Sequence, residues 1–107
     1  LLEDGFLKSL RENITYFDNK MDTLISDDKK ESSIILSKKG SGMLRGFELI
    51  ENISAGKFGN ISREKGLLLV GAAENTIRLL PPLNTSKEEI DQAFEILSEV
   101  VKEIKKN

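Results

Sequence analysis

The sequence predicts an α+β fold in which helices pack on one face of an antiparallel sheet of three or four strands. The first observation is a long stretch with helical spacing of apolar residues at each end of the 107-residue chain. The second is a middle region of short apolar runs separated by glycine-bearing turns, which is typical of antiparallel strands. The third is length, because a chain of this size can bury one hydrophobic core and therefore form one domain over residues 1–107.

The first predicted helix covers Leu2 to Leu24, where apolar residues recur at spacings of three and four. Its apolar stripe consists of Phe6, Leu7, Leu10, Ile14, Phe17, Met21 and Leu24. The polar stretch from Ser26 to Ser33 has no period and is predicted to be a loop. We expect the acidic pair Asp27–Asp28 within it to have a solvated or capping role rather than a catalytic one.

Two extended runs joined by a glycine turn predict the first strand pair. The runs are Ile34 to Leu36 and Met43 to Ile50, and the turn between them is Ser37 to Gly42. A lone glycine pair in such a turn is weak evidence for a phosphate-binding loop, so we expect a simple turn.

The segment from Glu51 to Glu64 is predicted to be a poor helix or an irregular segment. Ser54 could cap a short helix there. Against a helix, Gly56 and Gly59 would each cost about 1 kcal/mol relative to alanine in a helix interior.

The second strand pair is predicted from Leu67 to Val70 and from Thr76 to Leu80, with Gly71 to Asn75 as the turn. Gly66 ends the preceding segment. Pro81 and Pro82 stop the last strand, because proline cannot donate a hydrogen bond to a neighbouring strand.

The last helix shows the clearest signals. Ser86 and Glu89 match a capping box, in which each side chain bonds the other residue's main-chain NH. Acidic residues come first and lysines last, as the helix dipole favours. The apolar face consists of Ile90, Ala93, Phe94, Leu97, Val100, Val101 and Ile104.

Composition excludes several classes of function. Without cysteine or histidine, the chain has no disulfide or thiolate chemistry and lacks the commonest general base and zinc ligand, so we predict no metal site and no catalytic residue. The net charge is −2 with acids and bases mixed, which argues against a nucleic-acid partner. No apolar run reaches the ~18 residues of a membrane span, so we expect no membrane partner and a cytoplasmic location. The chain opens with Leu1 rather than methionine, which indicates a fragment.

Arg78 is the candidate binding residue. It stands alone among apolar residues in Ile77-Arg78-Leu79-Leu80. Because side chains alternate along a strand, Arg78 should point away from the face that Ile77 and Leu79 share. A guanidinium on a rigid strand end is suited to bind a carboxylate through two parallel hydrogen bonds, and a solvated arginine on an open sheet face is the alternative.

The stretch from Gly66 to Leu83, GLLLVGAAENTIRLLPPL, resembles the C-terminal signature of class III aminotransferases. The matching elements are Gly-Leu-Leu, then Asn75, then hydrophobic residues around Arg78, then Pro-Pro-Leu. The residues from Ser86 to Asp91 are similar to the opening of the family's final helix. Within the family, the sequence of this stretch is most similar to that of the acetylornithine type. The ornithine and 4-aminobutyrate types share the same motif pattern.

An upstream stretch, Gly40 to Leu49, is similar to the family's R-G-x-G-L-M-x-G-I-E-L pattern. The sequence departs from it at Lys39, where the family usually has arginine. A second departure is the lack of an alanine-rich helix before Gly66. Neither departure affects Arg78.

The resemblance implies the small C-terminal domain of a fold-type I enzyme that works as a homodimer with pyridoxal 5′-phosphate. The family's large domain holds the Schiff-base lysine and the other cofactor contacts, so we expect no cofactor-binding residue in this chain and no activity from it alone. Arg78 would bind the α-carboxylate of the amino-acid or 2-oxo-acid substrate. The implied reaction transfers the amino group of N-acetylornithine to 2-oxoglutarate, in arginine biosynthesis.

Two other functions are compatible with the sequence. A small-molecule-binding module such as an amino-acid-sensing ACT domain has a similar size, but such domains open with a strand and this chain opens with a predicted helix. A structural or assembly domain would instead use the apolar face of the first or last helix to dock on a partner.

Overall fold

The computed structural model describes residues 4–41, 44–67, 69–72, 75–79 and 86–106. In chain order, these residues form α1 (Asp4–Asp28), β1 (Ile35–Ser41), β2 (Leu44–Leu49), α2 (Ala55–Glu64), β3 (Val70–Ala72), β4 (Thr76–Leu79) and α3 (Lys87–Lys106). The predicted α+β order of elements is confirmed.

The described strands form one four-stranded sheet in the order β1-β2-β4-β3. Each neighbouring pair is antiparallel, as predicted. The first turn is shorter than predicted, because β1 continues to Ser41 and β2 begins at Leu44. β3 is displaced too: it runs from Val70 to Ala72, and the predicted turn residues Gly71 and Ala72 pair with β4.

The helices cover one face of the sheet, and the hydrophobic core lies between them. The rings of Phe17 on α1 and Phe94 on α3 pack edge to face, with centroids 5.1 Å apart. Phe47 on β2 and Phe58 on α2 make a similar contact at 5.6 Å. The buried apolar residues belong to one cluster, to which α1, β1, β2, α2, β4 and α3 all contribute.

The segment from Glu51 to Glu64, predicted to be a poor helix or an irregular segment, contains the helix α2. α2 begins after Ser54, whose hydroxyl accepts a hydrogen bond from the main-chain NH of Lys57 at 3.3 Å. Phe58 and Ile61 are buried beneath it. Burying a phenylalanine contributes about 1.5–3 kcal/mol, which offsets the cost of Gly56 and Gly59. Tertiary packing therefore decides this helix, and local propensity alone argued against it.

Asp28 lies in α1 rather than in the predicted loop, and of the solvated and capping roles expected for it the solvated one is wrong. The residue ends α1 and is only 2% exposed. Its carboxylate accepts hydrogen bonds from the main-chain NH groups of Ile34 and Ile35, and it forms an ion pair of 3.0 Å with Lys105. Asp28 thus joins the end of α1 to the start of β1 and to the last turn of α3.

Candidate functional site

β4 carries the candidate binding residue, and its burial pattern separates the two faces of the sheet. Ile77 is fully buried and Leu79 is 8% exposed, both on the helix-covered face. Arg78 lies between them and is exposed on the opposite, open face. The alternation predicted from the sequence is confirmed.

The backbone at Arg78 is held from both sides, because β4 is an interior strand. Arg78 pairs with Gly46 on β2 and with Val70 on β3. An interior strand with both neighbours in place cannot swing as an edge strand does. The sheet therefore fixes the Cα position from which the guanidinium extends.

Asn75 fixes the point at which β4 begins. Its φ is 59°, in the left-handed region that asparagine tolerates better than most residues. Its side-chain oxygen accepts from the main-chain NH of Ala55 at 2.7 Å, and its amide nitrogen lies 3.0 Å from the carbonyl of Ile50 and 2.6 Å from that of Ile53. One side chain therefore ties the start of β4 to the connection between β2 and α2.

The guanidinium of Arg78 has no hydrogen bond or ion pair within the part of the chain that the structure describes. Arg45 on β2 provides the contrast: its Nε lies 2.8 Å from Oδ1 of Asp18, and the side chain is largely covered. Arg45 thus attaches the sheet to α1, while the NH donors of the Arg78 guanidinium lie on the open face. Pro81 and Pro82, predicted to stop the strand, lie outside the described residues.

A second feature is an open groove of about 630 Å³ between α1 and the start of α3. Its lining consists of Lys8, Arg11, Glu12, Thr15, Tyr16, Asn19 and Lys87. The hydroxyl of Tyr16 donates to Asp91, and this hydrogen bond raises the pKa of Tyr16. The groove is lined by α1 and α3, so it is separate from the open face of the sheet that carries Arg78.

A resident metal would need several ligating side chains close together. The described residues contain no cluster of acidic residues able to hold a metal ion. None of their buried side-chain nitrogen or oxygen atoms lacks a hydrogen-bond partner. No helix among them is both long and apolar enough to cross a membrane.

Comparison with known proteins identifies the class. Residues 2–101 match the family model described as aminotransferase class III. The chain belongs to this family, which confirms the resemblance drawn from the Arg78 signature.

The curated relatives include acetylornithine aminotransferases. The one from Oceanobacillus iheyensis is 35% identical over 97% of this chain, and the one from Caldanaerobacter subterraneus is 33% identical over 96%. The chain spans only 25% of the length of either relative. Among solved structures, an ornithine aminotransferase from Plasmodium yoelii has a TM-score of 0.72 at 30% identity, over 89% of this chain and 26% of that one.

Sequence reasoning missed two residues that shape the site. Asn75 was noted as the end of a predicted turn and as part of the signature, but its left-handed conformation was not predicted, although an asparagine in a turn is the signal for one. Gly46 was noted only as a match in the upstream pattern. A glycine inside a predicted strand indicates a close approach of two backbones, and that signal was present.

Proposed function

We propose that this chain is the C-terminal small domain of a cytoplasmic, homodimeric class III aminotransferase that transfers the amino group of N-acetylornithine to 2-oxoglutarate. Its partners are the large domain of the same protein and a second subunit. The family implies pyridoxal 5′-phosphate in the full-length enzyme, where the cofactor supplies the electron sink and the protein supplies position and charge. By itself the chain is inactive.

In this proposal Arg78 binds the α-carboxylate of the amino-acid or 2-oxo-acid substrate. The observation that supports it is an exposed guanidinium on an interior strand, without a partner among the described residues. In 2-oxoglutarate the α-carboxylate is next to the carbon that receives the amino group, whereas N-acetylornithine gives up its δ-amino group and carries its carboxylate at the other end of the chain. An arginine that holds the α-carboxylate of 2-oxoglutarate therefore fixes the reacting carbon directly, which lowers the entropic part of the barrier, and on N-acetylornithine it fixes the far end of the chain.

The role of Arg78 is tested by substitution in the full-length enzyme. Arg78→Ala should lower kcat/KM by about 30- to 5,000-fold, which corresponds to about 2–5 kcal/mol for truncating one partner of a buried charge pair. Arg78→Lys should recover only part of the loss, because lysine cannot form the two parallel hydrogen bonds. Arg63→Ala is the matched control: this exposed arginine lies on α2, 3.4 Å from Asn60, and its loss should change kcat/KM less than twofold. A loss under about threefold for Arg78→Ala would remove Arg78 from the site.

The amino donor is tested by comparing kcat/KM for N-acetylornithine, ornithine and 4-aminobutyrate, each with 2-oxoglutarate as acceptor. The curated relatives support N-acetylornithine. The similarity to the ornithine aminotransferase from Plasmodium yoelii makes ornithine the second candidate. Preference for ornithine or 4-aminobutyrate would keep the mechanism and change the pathway. Turnover of none of the three would favour a non-catalytic binding or interaction domain instead.

A further inference from the structure

Gly46 lies directly opposite Arg78, and the two strands approach closely at this pair. A Cβ added to Gly46 would lie 2.2 Å from the carbonyl oxygen of Ile77 and 3.3 Å from the Cα of Arg78. Both are main-chain atoms of β4, so neither can rotate away as the end of a flexible side chain can. Any side chain at position 46 must therefore separate β2 from β4.

β2 is held on both sides of Gly46 in the chain. Arg45 attaches it to α1 through Asp18, at 2.8 Å. On the other side of Gly46, Phe47 is fully buried and packs on Phe58 of α2. β4 is supported on its far side by β3, which has three residues. A strain introduced at Gly46 therefore changes the position of β4 relative to β2, and the position of Arg78 with it.

The size of that movement follows from the distances. The contact of 2.2 Å must lengthen to at least 3.0 Å, so the distance between position 46 and the backbone beside Arg78 must increase by about 0.8 Å. A misplacement of about 1 Å in a group that orients a substrate can cost about a hundredfold in rate. The shift required is of that order.

We infer that Gly46 is a positioning residue for Arg78: its missing side chain sets the spacing of β2 and β4, and that spacing places the guanidinium on the substrate carboxylate. The inference rests on the proposed role of Arg78. Gly46 touches no reacting atom in this account and acts only through the strand beside it.

The test is a double-mutant cycle in the full-length enzyme, with N-acetylornithine and 2-oxoglutarate as substrates. Gly46→Ala should lower kcat/KM by about 10- to 100-fold in the otherwise unchanged enzyme. In the Arg78→Ala background the same substitution should lower kcat/KM less than twofold, because the group it displaces is already gone. A merely structural role would instead give equal losses in both backgrounds. Gly59→Ala is the matched control, because a Cβ at that residue of α2 meets nothing within 4 Å.

Three other outcomes would contradict the role inferred for Gly46. If Gly46→Ala leaves kcat/KM unchanged while Arg78→Ala lowers it, this inference is wrong and the proposed function stands. If Gly46→Ala yields no folded enzyme while Gly59→Ala does, β4 cannot move, and Gly46 is a folding residue rather than a positioning one. If Arg78→Ala itself costs less than threefold, the proposed function fails, and the positioning role of Gly46 fails with it.

Discussion

Replacing Asp28 by asparagine should be among the most destabilising polar substitutions in this chain. Both oxygens of the carboxylate are in use: Oδ1 lies 3.0 Å from the Nζ of Lys105, and Oδ2 accepts from the main-chain NH of Ile35 at 2.9 Å and from the hydroxyl of Ser33 at 2.8 Å. Asparagine keeps one acceptor oxygen and replaces the other with an NH2 group. That NH2 group would face groups that are themselves donors. Its shape is nearly that of aspartate, so packing is preserved.

The magnitude follows from what Asp28→Asn leaves unpaired. Removing one partner of a buried ion pair costs about 3–5 kcal/mol. The Lys105 side chain is 18% exposed and keeps a hydrogen bond to the carbonyl of Glu31, so the lower end of that range applies. We expect a loss of about 3 kcal/mol in the free energy of unfolding, or a fall in Tm of about 12–24 °C for a domain of this size.

The assay is urea unfolding of the 107-residue chain at several pH values. Burial by itself raises the pKa of Asp28, but the hydrogen bonds from Ile35, Ile34, Lys105 and Ser33 outweigh it and leave the pKa below its usual value. Because the folded state prefers the ionised carboxylate, its stabilisation is complete above the unfolded pKa of about 3.9 and is lost as pH falls through the lower folded pKa. The difference in stability between the parent chain and Asp28→Asn should therefore be constant from pH 7 to about pH 5 and shrink below about pH 4.

The control for this experiment is the neighbouring residue. Asp27→Asn removes an exposed ion pair with Lys30 and should change stability by less than about 0.5 kcal/mol. A loss below about 1 kcal/mol for Asp28→Asn at pH 7, or a difference as large at pH 3 as at pH 7, would refute the reasoning.

Two further predictions concern the start of β4 and the start of α3, again by urea unfolding at pH 7. Asn75→Asp keeps the acceptor for Ala55 but replaces the amide donor that faces three carbonyls, and should cost about 2–3 kcal/mol. The same change at the exposed Asn52 should cost less than about 0.5 kcal/mol, and equal losses at the two sites would contradict the role given to Asn75. Ser86→Ala removes the hydroxyl that accepts from the main-chain NH of Glu89 and should cost about 1 kcal/mol. An unchanged midpoint would mean that the capping box contributes nothing.

Local signals predicted most of the fold. The start of α3 was readable because a capping box is a pattern within four residues: the main-chain NH of Ser86 lies 3.3 Å from the carboxylate of Glu89, and the reciprocal bond is 3.2 Å. The orientation of Arg78 was readable because alternation along a strand needs only the neighbours on either side. Sequence alone also identified the family, since the signature around Arg78 is contiguous.

Only the tertiary structure decided the features that depend on distant partners. α2 forms because Phe58 finds the ring of Phe47 on another element, although its own glycines disfavour a helix. Asp28 is buried because Lys105, at the far end of the chain, reaches it. Gly46 matters because β4 passes within reach of its missing side chain. In each case the deciding energy comes from contacts between residues far apart in the chain. Local sequence patterns contain no information about such contacts.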